Sequence, residues 1–156
     1  MIQLILWLFV IILGVNLGAG LYETRIVVPL WAGGVPETLA EGNPYGRVAI
    51  DAGVRFWAFV TSAALILAIV ALASAFWAPV VVRGWLIGAA VIEIVAVAWT
   101  LLYFRPTLIR LFMHHGEGMS ADRIVSDVQR WVMLNNVRMV IVLVALCAAL
   151  RALSLS

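Results

Sequence analysis

Glu93 and Arg138 are the residues of this chain that packing alone explains least. Each lies inside a long apolar run, and a single charge at the middle of a bilayer costs about 3 kcal/mol or more. Other polar side chains recur around them at helical spacing. Asn16, Gly20 and Glu23 share one face, and Asp51, Arg55 and Ser62 share another. Glu93, Val97 and Thr100 form a third stripe, and Trp131, Asn135 and Arg138, with Asn136 beside them, a fourth. A lone Asn, Ser62 or Thr100 needs no more than a hydrogen bond to a neighbouring helix, worth about 0.6 kcal/mol in a membrane. Four stripes converging on one half of a bundle ask for more. Carboxylates take up protons, and an arginine with amide donors holds anions, so the set has the makings of a polar binding or reaction pocket. Glu93 and Arg138 are expected to form a buried ion pair, because each needs a partner at that depth.

Such residues can be positioned only by a membrane bundle. Hydrophobic residues make up 65% of the chain and charged residues 12%, with a mean hydropathy of +1.13. A water-soluble domain is nearer half apolar and a quarter charged, so lipid is the solvent here. The apolar runs are Ile2–Leu21, Phe56–Trp77, Val80–Phe104 and Trp131–Leu150, each close to the roughly 20 residues that cross a hydrocarbon core. The fold class is all-α: one domain, a four-transmembrane-helix bundle. The first run lacks a basic start and a cleavage site and is read as a retained span rather than a signal peptide. Only a turn at Pro79 separates the second and third runs, which makes them antiparallel neighbours.

Two longer segments remain. Tyr22–Arg55 holds Pro29, Gly33, Gly34, Pro36, Gly42, Pro44 and Gly46 and is read as a long first loop that caps the bundle. In Arg105–Arg130, Thr107–His115 is read as a short interfacial helix, broken at Gly116–Gly118, with Ser120 as the N-cap of the helix that enters the fourth span. Both segments fall on one membrane face with Arg25, Arg47, Arg55, Arg105, Arg110, Arg123 and Arg130. The other face has Arg83 and Arg151. The positive-inside rule places the long segments in the cytoplasm and the termini outside. Trp57, Trp77, Trp85 and Trp131 are placed as an aromatic belt, and the pairs Gly14/Gly18 and Gly84/Gly88 as close helix contacts. The half away from the arginines offers only Gln3, Ser74 and Cys147, so it is expected to be tight and apolar, with the polar half opening beneath the first loop.

Several functions are set aside. A net charge of +2 and no basic, aromatic-interleaved patch leave no footprint for nucleic acid. The single Cys147 forms no intrachain disulfide and is read as a small core residue. His114 and His115 are adjacent and splay to different faces, and no metal-ligand spacing accompanies them, so the sequence requires neither metal nor haem. The Gly14–Gly20 segment lies within an apolar run and is no dinucleotide fingerprint.

The segment Gly20–Leu21–Tyr22–Glu23–Thr24–Arg25–Ile26–Val27–Val28–Pro29 resembles the corresponding part of the anthrone-oxygenase-like family of small four-helix membrane proteins. Trp131, Asn135 and Arg138 match that family's Trp-x-x-x-Asn-x-x-Arg pattern, and Asn43–Pro44 and Tyr103–Phe104–Arg105–Pro106 are similar to family segments too. The likeness covers most of the chain in layout and is most specific in the fourth run. It implies the four-helix fold in a bacterial inner membrane, and it points to Trp131, Asn135, Arg138 and Glu23. The family takes its name from fungal enzymes that oxidise anthrones to anthraquinones. Anthrones are acidic at the carbon that is oxidised. Glu23 or Glu93 would then be the base, and Arg138 with Asn135 would stabilise the enolate. Asn16, Arg25, Arg55, Thr100, Trp131 and Asn136 are the candidate substrate-binding residues. The expected partners are the bilayer and a hydrophobic, polyketide-like small molecule. The competing readings are a binding or transport module, or an accessory subunit whose Glu93–Arg138 pair specifies assembly. Transport has no internal repeat or broken helix pair in its favour, although a homo-oligomer would supply a second copy.

Overall fold

A computed structural model describes residues 2–39, 44–112 and 118–156, with residues 44–52 described in their backbone alone. Among the described residues there is no strand. Helix α1 (Ile2–Tyr22) passes through a π-helical turn, Glu23–Val27, into α2 (Val28–Ala32), and the three together form one apolar helix, Ile2–Ala32. Helix α3 spans Pro44–Ser74 and closes in a 3₁₀ turn, Ala75–Trp77. Helix α4 (Val80–Trp99) passes through a second π turn, Thr100–Phe104, into α5 (Arg105–Phe112). Helix α6 spans Ala121–Ser154. Four helical stretches are long and apolar enough to cross a membrane, so the chain is a multi-pass membrane protein surrounded by lipid.

Segment 22–55 is more helical than its glycines and prolines suggest. Pro29 lies just past the first π turn, and Pro106 just past the second. A proline inside a helix loses one backbone hydrogen bond and pushes against the carbonyl one turn earlier. The wider π turn ahead of each proline takes up that misfit, and the helix continues. Pro44 heads α3, where its missing N–H has no partner to lose. The short helix after the third span likewise continues α4 rather than standing apart from it. Ser120 caps α6 as its residue type predicts, its Oγ accepting from the Arg123 N–H at 3.4 Å.

Around the bundle α1 packs on α3, α3 on α4, α4 on α6 and α6 on α1, so every adjacent pair is antiparallel. The turn at Ala78–Pro79 and both termini lie at one end, where Gln3 Nε2 donates to the Ser156 carbonyl at 3.2 Å. Here the core is apolar and rich in small side chains. Ala64, Ala68, Ala71 and Ala75 on one helix meet Ala89 and Ala90 on the next and Ala145, Ala149 and Ala152 on the last. Small side chains let helices approach closely in lipid, where packing rather than water expulsion holds them together.

Alanines therefore do what the glycine pairs were expected to do. A Cβ added at Gly14, Gly18, Gly84 or Gly88 would meet nothing within 4 Å. Cys147 faces outward rather than into the core. Trp77 and Trp85 are exposed as belt residues should be, but Trp131 is buried and Trp57 half-buried, both turned into the bundle.

Candidate functional site

The polar residues of the other half are arranged in two tiers. The deeper tier joins α1 to α4. Asn16 Nδ2 donates to Glu93 Oε1 at 2.9 Å, with Asn16 buried and Glu93 fully so. Glu93 Oε2 is also buried and has no hydrogen-bond partner among the described residues. Leaving such an acceptor bare costs about 1–3 kcal/mol.

The upper tier centres on Arg138. Its Nε and Nη2 donate to Asn135 Oδ1 at 3.2 and 2.9 Å, and its Nη1 donates to Thr100 Oγ1 at 3.1 Å. Asn135 Nδ2 in turn donates to Thr24 Oγ1 at 3.0 Å. The guanidinium carbon lies 5.1 Å from the centroid of the Phe104 ring and 5.9 Å from that of Trp57. Cation–π contacts of this kind are worth about 2 kcal/mol when desolvated. Trp57 Nε1 donates to Glu23 Oε1 at 3.1 Å, so Glu23 holds the ring that flanks the cation. Both π turns feed this tier: one carries Glu23 and Thr24, the other Thr100 and Phe104. π turns are rare and are found frequently at functional sites.

Between the tiers Gly20 leaves room for Met139. A Cβ at Gly20 would overlap Met139 Sδ and lie 3.8 Å from Trp57 Cη2. Above the upper tier, one helical turn nearer the Arg-rich end, Val28, Phe104 and Trp131 form a buried apolar layer. The Trp131 indole N–H donates to the Phe104 carbonyl at 3.3 Å, and its ring packs edge-on against Phe104 and Trp31.

The expected Glu93–Arg138 ion pair does not form. Among the described residues the salt bridge is a surface one, Arg110 Nη2 to Asp127 Oδ2 at 2.7 Å. Glu93 precedes Thr100 by seven residues, about 10 Å of helix rise. The long arginine side chain turns up toward Asn135 and Thr100 instead of down. Arg138 is linked to Glu23 and Glu93 through space, by Coulombic attraction.

Of the sequence candidates, Asn16, Glu23, Glu93, Thr100, Trp131, Asn135 and Arg138 are brought together. Arg25, Arg55 and Asn136 are not. The first two are exposed, and Asn136 is exposed with its amide on the Val132 carbonyl at 2.9 Å. Arginine can reach water from a helix end, and no contact among the described residues draws these two inward. Ser62 is exposed as well. The Asp51 side chain, Asn43, His114 and His115 lie outside the described residues. Thr24, Trp57, Phe104 and Met139 belong to the site but are not among the sequence's site candidates. Thr24 lies eight residues after Asn16, on the same stripe, and was visible in principle. Trp57 and Phe104 looked like ordinary belt and span aromatics.

Arg138 has five N–H donors, of which three are used. The remaining two, on a buried cation with no carboxylate in contact among the described residues, suit an anionic oxygen. Comparison with known proteins bears on the same residues. A family model described as anthrone oxygenase matches residues 49–148. The match takes in Trp57, Glu93, Thr100, Phe104, Trp131, Asn135 and Arg138, while α1 precedes it. No curated protein and no solved structure matches the chain. With the family model covering nearly two-thirds of the sequence, the chain belongs to the anthrone oxygenase family.

Proposed function

We propose that this protein is a membrane-embedded oxygenase for apolar aromatic ketones of the anthrone kind. The observation that carries this reading is the state of Arg138: a buried guanidinium with two donors left over among the described residues, clamped by Asn135 and Thr100 between two aromatic rings. Two carboxyls, Glu23 and Glu93, lie within Coulombic reach of it. A carboxylate removes a proton from the carbon opposite the ketone, and the electron pair moves onto the oxygen as an enolate held by Arg138. The enolate gives its electrons to dioxygen, forming a C–O bond and a hydroperoxide. Loss of water, with cleavage of the second C–H and the O–O bond, leaves the quinone. In sum, one anthrone and one dioxygen yield one anthraquinone and one water.

The reading is tested with protein purified in detergent, given anthrone and air. The expected result is quinone formation matched one-to-one by dioxygen uptake, with kcat/KM falling by about 10²–10³ in Arg138→Ala, the usual effect of removing an oxyanion donor. Oxidation that survives Arg138→Ala and both Glu→Gln changes would sink it. Saturable binding or proteoliposome uptake of anthrone with no product would favour a carrier instead. The same reading puts the Arg-rich end in the cytoplasm of a bacterial inner membrane, in keeping with the arginine count of the two faces.

A further inference from the structure

We infer that Glu93 is the proton acceptor of this reaction and that Glu23 is a positioning residue acting through Trp57. The assignment rests on the oxygenase reading above. The two carboxyls differ in what occupies their oxygens. Glu93 is fully buried, its Oε1 is fixed by the Asn16 amide, and its Oε2 is bare. Buried carboxyl oxygens in folded proteins are mostly partnered, and an exception calls for a reason, a catalytic role among them. Here the bare oxygen belongs to a carboxyl, the one basic group of the deeper tier among the described residues, and is free to meet a C–H. Glu23 is half-buried, and its Oε1 is committed to the Trp57 indole N–H. Drawing on that N–H makes the indole face richer in electrons and holds it against the Arg138 guanidinium. Glu23 thus tunes the group that receives the enolate.

The spacing of the tiers supports the same division. In an anthrone the acidic carbon and the carbonyl oxygen lie on opposite edges of the central ring. A base and an anion holder that serve such a molecule must stand apart and face one another, not touch. Glu93 and Arg138 stand apart in this way, on the neighbouring helices α4 and α6 and in different tiers, with no salt bridge between them. An ion pair between them would close that gap. In the proton step the C–H bond breaks, the proton goes to Glu93 Oε2, and the electron pair goes to the ketone oxygen facing the free donors of Arg138. The carboxyl is neutralised as the enolate forms. Once dioxygen has added, Glu93 returns the proton to the peroxide.

The test separates proton abstraction from oxidation. Anthrone is incubated with the purified protein in D2O without oxygen, and deuterium entering its methylene carbon is followed by mass spectrometry, above the uncatalysed rate. Wild type is expected to accelerate exchange. Glu93→Gln keeps an acceptor for Asn16 but has no carboxylate, and should lose about 10²–10⁴ of the acceleration. Anthraquinone should still quench its tryptophan fluorescence, which shows that the bundle and pocket persist. Glu93→Asp, a carboxyl withdrawn by one methylene, should fall between. Glu23→Gln retains an oxygen for Trp57 and should slow exchange less than about tenfold, whereas Glu23→Ala, which frees the ring, should slow it more. Exchange that persists in Glu93→Gln, or that vanishes in Glu23→Gln as fully as in Glu23→Ala, overturns the assignment. If wild type neither exchanges nor oxidises anthrone, the oxygenase reading itself fails, a different result from a wild type that works and a Glu93→Gln that works equally well.

Discussion

A lysine at position 138 would carry the same charge as Arg138 and do a different job. The planar guanidinium spreads Nε and Nη2 over one amide oxygen, Nη1 over a hydroxyl, and its face between two rings. An ammonium has neither fork nor face. Arg138→Lys is therefore expected to lose most of the rate, about 10²-fold in kcat/KM measured with anthrone, while the helix bundle persists. Residue type was the part of this that the sequence made legible. An arginine inside an apolar run, with Asn135 one helical turn before it, marks the site. The direction of its side chain is not encoded in spacing. Whether Arg138 reaches down to Glu93 or up to Thr100 depends on where the rings of Trp57 and Phe104 stand, and each is brought in by another helix. For the same reason Arg25 and Arg55, as good on paper, are left at the surface.

At the scale of elements, the two π turns set which atoms face the centre. Each adds one residue to an otherwise regular helix, and each ends two residues before a proline. The hydropathy of the runs shows the four helices plainly, since length and apolarity alone decide membrane crossing. The extra residue is invisible to that measure, and prolines and glycines in 22–55 argue on paper for a loop. Leu102 offers a way to probe the second turn, because it is exposed to the surroundings and lies within Thr100–Phe104. Deleting Leu102 should restore a regular α-helix with little change in helix content by circular dichroism or in melting temperature. Thr100 and Phe104 would then no longer both be presented to Arg138, and oxidation should fall by at least about tenfold. A deletion that leaves activity intact would show that the turn only accommodates Pro106.

The molecule as a whole is divided along the membrane normal. One half is alanine packed on alanine, with both termini tied at its end by Gln3 and Ser156. The other holds the two polar tiers. This division was readable from the positions of the polar residues, because a charge in hydrocarbon is too costly to occur without a local reason. What closes the polar half was not, since Val28, Phe104 and Trp131 become one layer only when three helices are in register. The unequal arginine count of the two faces predicts the sidedness of the termini. A C-terminal alkaline phosphatase fusion should be active and a green fluorescent protein fusion dark in bacterial cells, and the reverse pattern would invert the topology.

The layer formed by Val28, Phe104 and Trp131 also determines the units in which this protein experiences its reagents. Packed rings stand between the Arg-rich interface and Glu93, while the bundle's flanks are apolar and meet the acyl chains. On the oxygenase reading proposed above, ketone and dioxygen both dissolve in oil and would reach the site from the bilayer. The quantity that governs turnover would then be the mole fraction of substrate in the bilayer. Membrane volume would act as a diluent, so a cell that makes more membrane would slow turnover without changing its total substrate.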